Sequence, residues 1–411
     1  MRDAPPKKPV TLVFDGERIP AEEGEPIAAA LVAAGKMLLA RSPKFHRPRG
    51  PYCMRGACDG CLARVDGEPN VMTCLAPARE GAVVESQNVL GSREVDLLRV
   101  SDWFFRDGMN HHELFAGVPG LQQVMQAFAR RVAGLGTLPE AVEATRAARR
   151  RQADVVVVGG GPSGILVATA LAERGRAVEI VDDAVAPGGV ALALGMSAPL
   201  EALRRAVGAK AVVVRSRTVA GALFGDDLLV VGPEGAEAVT ARAVVLAPGA
   251  HDGVLPFEGN DLPGVMSARA LAWLLARGVR PGAKAVVVAH GDAPYAKRLA
   301  AGWPELVTVV RAEPIAVKGT SAVKGLVVKD GAAERTVACD VVAIDAPPSP
   351  AFELCVQAGA KVAHEPRGWV VETDGGRLRD GFFAAGEVTG VPPDEAALRA
   401  DAERVARAVL G

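Results

Sequence analysis

The stretch DVVVVGGGPSGILVATALAERGRAVEIVDD (154–183) decides the fold. After Asp154, VVVV (155–158) is a short, unbroken run of β-branched residues, the pattern of a strand buried on both faces in a parallel sheet. Gly159, Gly161 and Gly164 follow at G-x-G-x-x-G spacing, with Pro162 and Ser163 between the last two, and ILVATALAERG reads as the helix this turn opens. The next strand, AVEIV, ends at Asp182, 18 residues after Gly164. Each part has a physical reason. Gly159 makes the tight turn, Gly161 admits a pyrophosphate to the backbone, Gly164 lets helix and strand approach closely, and Asp182 accepts from ribose hydroxyls. The uncharged run 155–172 has the length to raise a membrane helix, but Gly159, Gly160, Gly161 and Pro162 interrupt it. Strand, turn and helix is the better reading.

The chain has 411 residues, room for two or three domains at roughly 150 residues each. Its 47 Lys and Arg nearly cancel 48 Asp and Glu, a formal charge of −1, so no global field recruits nucleic acid or an anionic membrane. Apolar residues at 49%, aromatics at 4%, and 46 Gly with 29 Pro suit an α/β protein and exclude disordered and fibrous classes. No signal-peptide stretch follows the first ten residues, because Asp15, Glu17 and Arg18 intervene. A cytoplasmic location is expected, with no transmembrane segment and any membrane association arising through partners. In such a reducing compartment structural disulfides are rare.

Four of the six cysteines, Cys53, Cys58, Cys61 and Cys74, lie in PYCMRGACDGCLARVDGEPNVMTC (51–74), separated by four, two and twelve residues. The first three match the C-x4-C-x2-C loop of plant-type [2Fe-2S] proteins. Three thiolates must converge from one loop, and Gly56 and Gly60 let it turn tightly and bring N–H groups to the sulfurs. LARV, an Asp66-Gly67 turn and VMT read as a hairpin that returns Cys74 to the loop. Zinc is the rival for four thiolates, but zinc sites usually pair two C-x2-C knuckles and only one is present. Cys339 and Cys355 have no partner pattern and read as ordinary buried thiols.

Outward from these motifs, VTLVFDGERI (10–19) alternates around an Asp15-Gly16 turn, and EPIAAALVAAG (25–35) is helix-like. A [2Fe-2S] ferredoxin-like α+β domain over 1–95 is expected. Helical stretches such as 120–136 and 139–152 suggest a connector over 96–152 whose Arg149, Arg150 and Arg151 form a solvated helix end. His111 and His112 lack an HExxH pattern and read as connector or interface residues. From 153 to 411 strands and helices alternate. In KAVVVAHGDAPYAKRLA (284–300) Ala289 and Pro294 replace the first and third glycines of a second dinucleotide motif, leaving Gly291, and the following strand ends in Arg311 rather than an acid. The fold is expected there; NAD(P) binding is left open.

AVVLAPGA (243–250), carrying Ala247 and Gly249, and GFFAAGEVTG (381–390), carrying Gly386 and Glu387, resemble the later segments of flavoproteins with two dinucleotide-binding domains. That resemblance implies FAD in a Rossmann-like domain over 153–411, with a degenerate NAD-type domain inserted at about 252–345. It implies that Glu387, where the family more often has Asp, faces the ribityl-pyrophosphate stretch. Gly188 and Gly189 resemble the glycine pair that follows the ribose acid. ARSPKFHRPRG (40–50), RRVAGLGTLP (130–139), RSRTVAGALF (215–224) with Val219, PGAHDGVLPFEGNDLPGVM (248–266) and HGDAPY (290–295) resemble, in order, the α subunits of heterotetrameric sarcosine oxidases. Those subunits lack the cluster cysteines. All four present here look like the related hydrogen cyanide synthase, opine oxidase and proline or hydroxyproline dehydrogenase subunits. No folate-binding, aminomethyltransferase-like region is seen.

The resemblance implies an FAD- and [2Fe-2S]-containing electron-transfer subunit of a multisubunit amine or imino-acid dehydrogenase or oxidase, of sarcosine, proline, hydroxyproline or opine type. Substrate would be oxidised on a D-amino-acid-oxidase-like β subunit, with FMN at a subunit interface, as relatives suggest, and an electron acceptor left unnamed. In that reading Arg47, Arg49 and Arg55 favour the reduced, more negative cluster or else form a plain solvated surface. The alternatives are a self-sufficient NAD(P)H-dependent flavin and iron–sulfur oxidoreductase, and a scaffold with relic cofactor sites. Cys58-Asp59-Gly60-Cys61 is a C-x-x-C, but Cys53 and Cys74 assign it to the cluster rather than to disulfide reduction.

Overall fold

The computed structural model describes residues 1–42, 46–89, 91–95, 97, 118, 120–132 and 147–411. His111 and His112, and most of the expected connector, lie outside the described residues; within it, Leu121–Val132 is helical.

The N-terminal part builds on two hairpins. Asp15 and Gly16 (φ 48° and 83°), and Asp66 and Gly67 (φ 51° and 86°), take the paired left-handed conformations that two-residue hairpins require. Pro9–Phe14 pairs antiparallel with Glu17–Glu22, and Leu62–Val65 with Glu68–Met72. Val83–Glu85 joins them, parallel to Pro9–Phe14 and antiparallel to Leu62–Val65, giving a five-stranded sheet. The helix Ile27–Ala33 is buried from Ile27 to Val32 and lies over the sheet core of Leu12, Phe14, Ile19 and Val84. Its run of alanines permits that close approach.

In the second part, the strand Arg149–Val158 lies between Val178–Val181 and Gly235–Leu246, all parallel, with Val212–Arg215 and Phe382–Ala384 extending the parallel sheet on either side. The apolar run divides as a doubly buried strand must: Val155 and Val157 enter one core with Ile165 and Leu171, Val156 and Val158 the opposite core with Val244 and Leu246. The helices Pro162–Glu173 and Glu395–Leu410 pack together on the first of these faces. This strand begins at Arg149, so the arginines read from sequence as a solvated helix end belong to a sheet. Arg149 and Arg151 pair with Glu237, Arg151 also with Glu179 at 2.5 Å, and Arg150 with Asp227 at 2.7 Å.

Between Gly235–Leu246 and Phe382–Ala384 the chain builds a second parallel sheet, in the order Val265–Ser267, Val341–Asp345, Ala285–Ala289, Val307–Val310. An antiparallel three-stranded sheet, Glu313–Lys318, Gly325–Asp330 and Ala333–Val337, packs beside it. One apolar core runs from Leu12 and Leu31 through Leu271 and Leu274 to Val287, so the N-terminal sheet and this inserted unit are packed against each other. No helix among the described residues is long and apolar enough to cross a membrane.

Candidate functional site: a cysteine loop forming one wall of a dinucleotide cleft

The four cysteines meet at the end of the Leu62–Val65/Glu68–Met72 hairpin, as their spacing predicts. Cys53, Cys61 and Cys74 are buried and Cys58 is half-buried. The thiols lie as two neighbouring pairs, Cys53 beside Cys58 and Cys61 beside Cys74. The neighbouring Cys53 draws the Cys58 thiol down to about 7, and Cys74 lowers Cys61. No three His, Cys, Asp or Glu side chains among the described residues gather as a single metal ion needs. Two thiol pairs within electrostatic reach of each other offer two ligands to each of two irons. The loop's own backbone serves the sulfurs, since the Gly56 N–H donates to Cys74 Sγ at 3.2 Å. A Cβ at Gly60 would collide with the carbonyl of Gly50. Cys339 and Cys355 are buried apart from this centre, and burial pushes their thiols up to about 11 and about 12.

Gly159, Gly161, Pro162, Ser163, Asp182, Gly188, Gly189, Val219, Ala247, Gly249 and Glu387 line one cleft of about 580 Å³. Gly164 and Gly386 stand behind its wall. A Cβ on Gly164 would strike the Gly159 carbonyl, and one on Gly386 (φ 84°) would strike the Ser163 hydroxyl, so both hold helix and turn at contact distance. Gly161, by contrast, faces open space at the N-terminus of Pro162–Glu173, as a backbone that receives a pyrophosphate should. Asp182 closes the turn: its carboxylate accepts from the N–H of Gly160 and, at 2.9 Å, of Ala184. Burial raises its pKa. Glu387 lies in the short 3-10 turn Gly386–Thr389, where burial lifts its carboxyl to about 7 against the opposing pull of Arg55 and Arg269. The donor set and the open cradle fit FAD.

The same cleft is lined by Met54, Arg55, Cys74 and Leu75 from the cysteine loop. Sequence reading placed both motifs but not their meeting. It also missed Asp183, Trp273 and Arg269 in the cleft wall, none of which belongs to a spaced motif. Of the three arginines considered for the cluster, Arg49 pairs with Asp261 at 2.8 Å and Arg47 approaches the same carboxylate at 3.9 Å. Only Arg55 turns into the cleft, donating to the Ala250 carbonyl at 2.5 Å.

The second glycine-poor motif folds as strand Ala285–Ala289 and helix Pro294–Gly302. Where a nucleotide phosphate would sit, the carboxylate of Asp345 accepts from the Ala296 N–H at 2.6 Å, and Arg311 donates to the Gly291 carbonyl at 3.2 Å. The helix end is already satisfied by the protein's own acid.

Sheet topology, paired thiols and glycine-walled cleft together define an iron–sulfur flavoprotein of the oxidoreductase class, with [2Fe-2S] and FAD as its cofactors. Known proteins agree: residues 7–89 match the 2Fe-2S iron-sulfur cluster binding domain, and residues 157–193 the NAD(P)-binding Rossmann-like domain. The chain is similar to the sarcosine oxidase alpha subunit of Rhizobium meliloti, 28% identical over 93% of this chain and 43% of that one. It is also similar to an opine oxidase subunit of the same organism, 33% identical over 37% of each chain. It spans less than half the length of these curated relatives. The fold superposes over its whole length on L-proline dehydrogenase from P. horikoshii, with a TM-score of 0.74 at 20% identity, covering 75% of that chain.

Proposed function

We propose that the chain is the electron-transfer subunit of a multisubunit amine or imino-acid dehydrogenase or oxidase, of sarcosine, proline, hydroxyproline or opine type. Oxidation of the C–N bond is assigned to a D-amino-acid-oxidase-like partner. One observation carries the reading: Cys74 and the glycine turn 159–164 face the same cleft. FAD held there supplies two-electron chemistry, and a [2Fe-2S] cluster supplies a one-electron outlet. The protein's own work is placement. Gly159, Gly161 and the helix N-terminus seat the pyrophosphate, Glu387 offers a carboxyl that titrates near neutrality, and Arg55 spans from the cysteine loop to the 248–250 turn. The names of the relatives, oxidases and a dehydrogenase of N-substituted amino acids, support the substrate class.

Asp345 at the helix end of the inserted unit weighs against NAD(P)H as the direct reductant. The test is an anaerobic titration of the purified chain alone and with its partner. Bleaching by an imino or amino acid only after the partner is added supports the reading. Direct bleaching by NADH without a partner contradicts it.

A further inference from the structure

The first limb of the cysteine loop is fastened to the inserted unit by a buried ion pair. Arg269, in the first turn of the helix Ala268–Ala276, is 5% exposed and donates to the main-chain carbonyl of Cys53. The same nitrogen, Nη2, and the neighbouring Nε form a two-point clasp on Asp252, Nε to Oδ1 at 2.7 Å and Nη2 to Oδ2 at 2.8 Å. Burial raises the Asp252 carboxyl, but Arg269 outweighs burial and keeps it below the ordinary carboxylate range, so the pair is ionised. Two more bonds fix the same limb: the Tyr52 hydroxyl donates to the Gly253 carbonyl at 2.9 Å, and the Ser267 N–H to the Tyr52 carbonyl at 3.1 Å. A surface pair would be screened and worth little; here the two side chains are only 6% and 9% exposed, and removing one leaves the other poorly compensated near Cys53.

We propose that Arg269 and Asp252 are the positioning pair of the Cys53 limb, and that the balance of their charges keeps the reduction potential of the cluster from being shifted by either one alone. The proposal rests on the reading that the four cysteines hold [2Fe-2S]. Arg269 is the donor that orients Cys53 through its carbonyl; Asp252 orients Arg269 and cancels its field. Adding one electron makes a cluster more negative. An unpaired Asp252 therefore opposes reduction, and an unpaired Arg269 favours it.

The experiment is an anaerobic redox titration of the full chain, or of its native complex, followed by electron paramagnetic resonance of the reduced cluster. Iron, sulfide and flavin are counted on every sample. Arg269→Gln is expected to move the cluster potential negative and Asp252→Asn to move it positive. The double substitution should return it close to the parent, and Arg269→Lys, which keeps the charge, should shift it least of the single variants. Opposite signs are a signature that mere support of the fold does not produce. Shifts of the same sign, or none, in proteins that keep their iron overturn the proposal. Should Arg269→Gln lose iron, Asp252→Asn and Arg269→Lys decide it alone, and loss of iron from both reduces the pair to a structural tie and overturns it as well. A parent protein without iron and sulfide refutes the cluster reading instead, so the two failures are distinguishable.

Discussion

Gly159 and Glu387 show how differently single residues declare themselves. Gly159 adopts φ 102°, and any Cβ there would collide with the Ala247 carbonyl. The first demand is local to the turn, and this is why the glycine spacing was legible in the sequence; the second comes from the end of a strand distant in the chain. Gly159→Ala should cost about 1–3 kcal/mol from the backbone conformation alone, and the collision adds to it; thermal unfolding and flavin content should fall together. Glu387 was legible only through a resemblance, and its titration not at all, because burial by distant segments sets it. Its folded pKa of about 7 lies above the unfolded carboxylate value of 4.5, so the folded protein binds the extra proton. That contribution is fully present below about pH 4.5 and is lost as pH rises through 7. Glu387→Gln should therefore stabilise flavin-free protein at pH 8, by up to on the order of 3 kcal/mol, and change little at pH 4. Denaturant unfolding at the two pH values checks it, and an equal effect at both would contradict the burial cause.

At the scale of elements, local signals set the hairpins and the first helix of each unit, whereas pairings distant in sequence decided what was misread. Arg149 to Arg151 look like a helix end until Glu237 supplies the charge partner of Arg149 and Arg151 across a parallel pairing of strands, and Asp227 that of Arg150. The C-terminal helix Glu395–Leu410 shows what an element adds to the site. Asp394 caps it, accepting from Ala396 and Ala397 N–H at 3.0 Å, while Asp401 on its buried face accepts from Gly386 N–H at 2.8 Å. Asp394→Ala should cost about 1 kcal/mol, as a lost cap does, and leave flavin content unchanged. Asp401→Ala should cost more, because it strands a buried N–H and frees the turn bearing Glu387. Flavin dissociation constants and melting temperatures of the two variants separate these effects; equal flavin loss in both would show that the helix acts only through overall stability.

Across the whole molecule, the two cofactor motifs were readable separately because each is compact, the cysteines spanning 53–74 and the glycines 159–164. Their meeting was not. Arg269 reaches Cys53 across 216 positions, Arg55 reaches Ala250 across 195, and neither residue type nor spacing announces such a contact. These long-range bonds and the continuous core through Leu31, Leu271 and Val287 make the cysteine loop a fixed wall of the dinucleotide cleft. The most direct test is anaerobic photoreduction of the purified chain across a range of protein concentrations, reading the reduced cluster by absorbance and electron paramagnetic resonance. Cluster reduction within each molecule, at a rate independent of protein concentration, is the expected result. A rate proportional to protein concentration, or a reduced flavin beside a cluster that stays oxidised while its potential permits reduction, would contradict the shared cleft as the electron path.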